Sequence, residues 1–196
     1  MSQKWKGFEN VIAKDVSQWL FGDPKILRRA PCSGGWKSRG DDCDIIVADE
    51  SEAYRDSLPF AIEAKCRATR GGGQEWHLEQ LLTSPKHPIL DWWYQTTNCR
   101  RVQEEGKLRF LVFSKTSGVA KAFIVIGDPE VVFFNVAGVS LRAIPKIIFE
   151  VGRSEDPNIK TETLHIFRFR EFLDVVDAKK VLSQWRNRHG VDQKKD

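Results

Sequence analysis

Leu58-Pro59-Phe60-Ala61-Ile62-Glu63-Ala64-Lys65-Cys66 is the stretch on which the fold turns. Its nearly continuous apolar run is the pattern of a central strand covered on both faces. Glu63 and Lys65 interrupt that run, at a place where unpaired charges are costly. Side chains alternate across a strand, so Glu63 and Lys65 project to one side and Ile62, Ala64 and Cys66 to the other. An acid and a base sharing one face of a buried strand are either an ion pair or working groups. The string Glu-x-Lys alone is too common to decide between them.

Upstream, Gly40-Asp41-Asp42-Cys43-Asp44-Ile45-Ile46-Val47 places an aspartate directly before a second apolar strand, residues 44–48. By the same alternation Asp44 points opposite to Cys43 and Ile45, which makes Cys43 and Cys66 buried thiols behind the site rather than ligands in it. A short strand is expected at 25–30. Before it, Phe8, Val11, Ile12, Val16, Trp19 and Leu20 recur at helical spacing, and Gly22-Asp23-Pro24 ends that helix. Residues 31–39 read as a loop with Ser33-Gly34-Gly35.

Downstream, Gly71, Gly72 and Gly73 mark residues 67–74 as a mobile loop, followed by a short helix at 75–82. A longer helix is expected at about 89–105, then strands at 108–114, 122–126 and 131–134. Strands at 144–151 and 163–169 and a helix at 171–188 complete the chain. No internal repeat and no linker-like shift in composition divides it, so residues 1–190 read as a single α/β domain with a helical C-terminus and residues 191–196 as a disordered tail.

The 196 residues suffice for one hydrophobic core, and 41% hydrophobic with 30% charged residues is ordinary globular composition. A formal charge of +4 excludes a histone-like binder. Clusters at 25–29 and 67–70, and the group Arg100, Arg101, Lys107 and Arg109, are either phosphate contacts or solvated faces. The four cysteines, at 32, 43, 66 and 99, form no CxxC pair, which argues against a zinc ribbon or a disulfide framework. No run approaches the ~18 apolar residues of a membrane span, and MSQKWKGFEN lacks the core of a signal peptide. The expectation is a cytoplasmic protein, in the host cytoplasm if viral, with no membrane partner.

Together the two segments resemble the PD-(D/E)xK nuclease superfamily, in which an aspartate begins one strand and an acid and a lysine one residue apart lie on the next. Asp44 matches the first position, although Asp41 and Asp42 lie close; Glu63 matches the acid and Lys65 the lysine. Cys43 stands where the motif's name has proline. The resemblance implies a restriction endonuclease-like core, a mixed central β-sheet flanked by helices, spanning about residues 5–115.

It also implies a metal-dependent endonuclease hydrolysing DNA phosphodiester bonds, with Mg²⁺ or Mn²⁺ held by Asp44 and Glu63. A hard divalent cation prefers carboxylate and water oxygens. Such an ion polarises the phosphate and acidifies bound water, while Lys65 orients that water and offsets developing charge.

Family members often add an acid from the preceding helix. Glu9 is the match by resemblance, while Asp15 lies nearer the middle of the apolar stripe, so helix geometry does not choose between them. A glutamine on the following helix is Gln80, with Gln95 behind it. Ser33 in the small-residue loop could let backbone amides approach a phosphate, or merely make a tight turn. Arg67 and Arg70 are candidate DNA contacts. Trp76, Trp92, Trp93 and Tyr94 could stack on bases, but aromatic residues at helical spacing are more often core; His77 and His87 suggest no ligand pair.

The order of elements is most like that of Holliday junction resolvases, which implies branched DNA, recombination or repair, and a homodimer with two symmetric sites. Restriction-type and repair nucleases share the core, and a catalytically idle binding module is the alternative from another class.

Overall fold

The computed structural model describes residues 3–31, 43–66, 87–114, 119–151 and 161–190, with side chains of the first helix described from residue 6. The expected loop residues Ser33 to Gly35, Arg67 and Arg70, the glycine run, Gln80, Trp76, His77 and the tail 191–196 lie outside them.

Helix α1, Gln3–Phe21, is organised by Phe8, Ile12, Val16 and Leu20, four residues apart and all buried. Gly22 ends it at φ 74°, a left-handed conformation that suits glycine. Strands β1 (Leu27–Arg29), β2 (Ile45–Val47) and β3 (Phe60–Cys66) follow as an antiparallel meander, with a 3₁₀ segment, Asp49–Tyr54, before β3. Strand β4 (Leu108–Ser114) lies parallel to β3 in unbroken register, Phe60 opposite Leu108 through Cys66 opposite Ser114. Helices α2 (Pro88–Thr97) and α3 (Arg100–Gln103) lie between these two strands in the chain, in the crossover that a parallel pair requires.

The second half of the chain extends the same sheet. After β5 (Phe123–Gly127) and helix α4 (Asp128–Val136), strands β6 (Lys146–Val151) and β7 (Glu162–Arg168) complete a seven-stranded mixed sheet of order β1-β2-β3-β4-β5-β7-β6. Helices α5 (Phe169–Val175) and α6 (Ala178–His189) close the described chain. The α/β class, the mixed sheet with flanking helices and the helical C-terminus are as the sequence led one to expect.

The sheet has two differently covered faces. Phe60, Ile62, Ala64 and Cys66 of β3 join Phe110 and Val112 of β4 in the large core beneath α1, α4, α5 and α6. The opposite face carries Leu111, Phe113, Val125, Leu164 and Ile166 beneath Ile89, Leu90 and Trp93 of α2. Glu63 and Lys65 stand opposite Leu111 and Phe113 in the parallel register, and so project to the α2 face.

Three expected elements are corrected. Residues 131–134 are helix, not strand: Gly127 caps α4, Pro129 occupies its first turn, and the Glu130 carboxylate accepts the Gly127 amide at 3.0 Å. Phe133 and Phe134 are buried while Val132 is 60% exposed, a one-sided helical pattern that a four-residue window conceals. The helix expected at 89–105 breaks at Asn98 and Cys99, where Cys99 is extended and caps α3. The helix expected at 171–188 breaks at Val176, which is extended, and Asp177 restarts it by accepting the Lys179 amide at 2.9 Å.

Candidate active site

Strands β2 and β3 pair only at Ile45 and Ile62, and immediately beyond that point they are tied through side chains. The Asp44 backbone still belongs to the sheet: its amide donates to the Ile62 carbonyl at 3.2 Å, and its carbonyl accepts the Ala30 amide at 2.8 Å. The next inward amide of β3, that of Ala64, donates instead to Asp44 Oδ2 at 3.0 Å. A buried amide needs an acceptor, and here the carboxylate supplies it. This bond aims the Asp44 side chain across the gap between the strands.

Lys65 completes the group. Its Nζ lies 3.6 Å from Asp44 Oδ2 and forms an ion pair with Glu63 Oε1. Asp44 and Glu63 are 6% and 3% exposed, so two carboxylates share one ammonium away from bulk water. Burial, then the charge of Asp44, push the Glu63 pKa up to about 8 against the pull of Lys65. Burial opposes the Lys65 ammonium, but the charges of Glu63 and Asp44 outweigh it and hold its pKa above the usual lysine value. Lys65 therefore stays protonated at neutral pH.

The structure thus brings Asp44, Glu63 and Lys65 together. Glu9 is buried and its Oε2 lies 2.8 Å from Arg29 Nε, one residue before the Ala30 amide that holds Asp44. Asp15 instead meets Arg170 of α5 at 2.9 Å, with its pKa raised by burial against that arginine's charge. The sequence expectation for Cys66 holds, since it is buried in the core beneath α1. The expectation for Cys43 needs correction. Strand β2 begins only at Ile45, so alternation does not reach residue 43; Cys43 packs against Ala61 and Cys99, on the side of the sheet that carries Glu63. Its Sγ lies 3.5 Å from that of Cys99. The contact with Cys99, followed by burial, drives the Cys43 thiol pKa strongly upward, so it stays neutral.

The third basic group of the sequence is spent inside the fold and not on a phosphate-facing surface. Arg109 is buried against Glu130 and Glu162; Lys107 donates to the Leu58 carbonyl at 2.7 Å and lies over the Trp185 ring; Arg101 is 7% exposed. Arg100 alone of the four is exposed, 3.9 Å from Glu104. In the first cluster, Arg28 pairs with Asp49 at 2.7 Å. Trp93 is buried, and Trp92 and Tyr94 pack against its cluster, so these aromatics are core. His87 caps α2 by accepting the Ile89 amide at 3.2 Å.

With this geometry in place, a family model described as "Phage putative PDDEXK endonuclease" matches residues 2–183. The chain belongs to that family. The match reaches well beyond the 5–115 core of the sequence resemblance and takes in β5 to α5 and the first half of α6, strands and helices that widen the sheet and cover one of its faces. No curated protein and no solved structure matches the chain. Among the described residues no helix is long and apolar enough to cross a membrane.

The donor set at Asp44 and Glu63 fits a hard divalent cation. Two buried carboxylates that meet one lysine among the described residues leave oxygens for a cation, and Mg²⁺ is commonly held by one or two carboxylates with water and phosphate filling its other positions. Among the described residues no group of three or more His, Cys, Asp or Glu converges, so a thiolate or imidazole cage of the zinc kind is not what this donor set offers.

Proposed function

We propose that the chain is a DNA endonuclease dependent on Mg²⁺ or Mn²⁺, with Asp44 and Glu63 as metal ligands and Lys65 as the catalytic cation. The observation that carries this reading is the trio itself: two buried carboxylates and one ammonium, placed where β2 and β3 part. When bound, a divalent cation there would polarise the scissile phosphate and make water a better nucleophile at neutral pH. Lys65 would stabilise negative charge developing on the phosphate and orient the attacking water by donating to it. Asp44 is kept in place by the Ala64 amide, and Glu63 by its strand. The buried Cys43, Ala61 and Cys99 make one side of the surroundings apolar, which strengthens each electrostatic contact.

Glu9 is proposed as the accessory acid over Asp15, because it is bound beside the strand that holds Asp44 while Asp15 is engaged by α5. Gln80, and Ser33, Arg67 and Arg70 as phosphate contacts, remain proposals from the family resemblance. So does a four-way junction as preferred substrate, with the role in recombination or repair that it would bring. The test offers linear duplex, single strand, flap and four-way junction with Mg²⁺. Cleavage abolished by EDTA and by Asp44→Ala is expected; full activity in EDTA overturns the mechanism, and preference for unbranched duplex overturns the junction.

A further inference from the structure

The sheet has two edges, and they differ. Strand β1 is three residues long and carries Arg28 and Arg29, a short charged edge of the kind that discourages pairing with another chain. Strand β6 at the other end is six residues long, reads Lys-Ile-Ile-Phe-Glu-Val, and leaves Ile147 and Ile148 45% and 52% exposed. Its inner edge is fully paired to β7, and among the described residues no strand pairs its outer edge. Two adjacent isoleucines leave apolar surface on both faces beside this edge, without the bulges or prolines that blunt an edge against pairing with another chain.

The charges on β6 select the occupant. Lys146, Ile148 and Glu150 share one face; Ile147, Phe149 and Val151 share the other, with Phe149 and Val151 packed against the α2-side core. An antiparallel second copy of β6 centred on Ile148 sets Lys146 opposite Glu150 twice, Ile147 opposite Phe149 twice, and Ile148 opposite itself. Shifting the centre by one residue on the same strand faces Ile148 with Glu150, or Lys146 with Ile148, and loses both charge pairs. Glu150 is exposed and has no ion-pair partner among the described residues, while the Lys146 ammonium is held on that face by the Leu141 carbonyl at 3.1 Å and lies over the Phe167 ring. The strand is thus complementary to itself in one register.

We propose that β6 is a dimerisation edge, at which two copies of this chain join their sheets antiparallel about a two-fold axis at Ile148. The inference goes beyond the catalytic reading and does not rest on it. Sedimentation of the full chain across a concentration series reads it directly. The expected wild-type result is an approach to twice 22.5 kDa as concentration rises. Ile148→Lys, which sets two lysines at the axis, should give a monomer. Glu150→Lys and Lys146→Glu should each weaken the dimer by on the order of tenfold, since each cross-strand charge pair becomes a repulsion twice over. The double variant Lys146→Glu with Glu150→Lys should recover it, and that rescue also guards against a variant that merely misfolds. A wild-type monomer at every concentration, or a dimer indifferent to Ile148→Lys, or singles that weaken the dimer without rescue in the double variant, overturns the proposal.

Discussion

The α2 face of the sheet carries two buried clusters of opposite charges, one strand apart, and among the described residues only one of them is closed. Arg109 of β4 donates from Nε and Nη2 to the two oxygens of Glu130 at 3.0 and 2.9 Å, pairs with Glu162 at 2.5 Å, and stacks over Trp93 at 4.4 Å from the ring centre. The Arg109 and Gly127 amides and Trp93 Nε1 take further carboxylate lone pairs. Burial opposes the Arg109 charge, but its bonds to Glu130 and Glu162 prevail and raise its pKa. At the other cluster, Asp44 and Glu63 share a single lysine, and Glu63 is pushed up to about 8. A structural network fills every acceptor; a site that must take a cation leaves acceptors short of charge.

The largest expected effect separates the two clusters by function. Asp44→Ala or Glu63→Ala should abolish Mg²⁺-dependent cleavage and weaken metal binding, measured by titration calorimetry. Lys65→Ala should keep metal and DNA binding but lose ~10²–10³ in rate, as for a single electrostatic stabiliser of a transition state. Wild-type rates in Lys65→Ala would remove the catalytic cation from the account.

Arg109→Ala should instead unfold the protein more easily, since it leaves the buried Glu130 carboxylate, and the half-buried Glu162 beside it, without their cation, a loss of about 3–5 kcal/mol. Thermal melting should fall by on the order of 10 °C. A melting point unchanged by that substitution would mean that the network contributes nothing net. Gly127→Ala probes the same network more gently. A Cβ there would press on Glu162 and lie 2.7 Å from Arg109 Nη2, and overpacking of this kind costs about 1–3 kcal/mol. The loss should shrink when Arg109 is already alanine, because the Arg109 contact is gone and Glu162 is no longer held by it, which a double-mutant cycle would reveal.

The last effect is a slope with pH. Glu63 has a folded pKa of about 8 against an ordinary value of 4.5, so its contribution to stability is fully present below about pH 4.5 and is lost as pH rises through 8. In EDTA, the melting temperature of the wild type should therefore decline between pH 5 and pH 9 relative to that of Glu63→Gln. Parallel curves would show that the carboxylates at the site are not crowded.

The meeting of Asp44, Glu63 and Lys65 at the candidate site was legible because its parts are local. Glu63 and Lys65 needed only strand alternation, and Asp44 only its place before an apolar run. Cys43 defied the same rule because it lies before the strand, where backbone direction is set by the loop and by packing on Cys99. Basic residues near 100–109 looked like a surface patch in sequence, yet Arg109 alternates onto the face that α2 covers, where Glu130 at the start of α4 reaches it. The start signal of α4, Gly127 to Glu130, was present but outweighed by the valines and phenylalanines that follow.

By itself the sequence determined the α/β class, the strands that carry the trio and the residue types that meet there, because periodicity and residue type act over a few positions. Only the tertiary structure decided which charges are neutralised. Glu130 and Glu162 reach Arg109 from a helix and a strand 21 and 53 residues further along the chain, and no local pattern records that meeting. Burial then sets the difference between a closed ion network and the candidate site, where two carboxylates meet one lysine among the described residues.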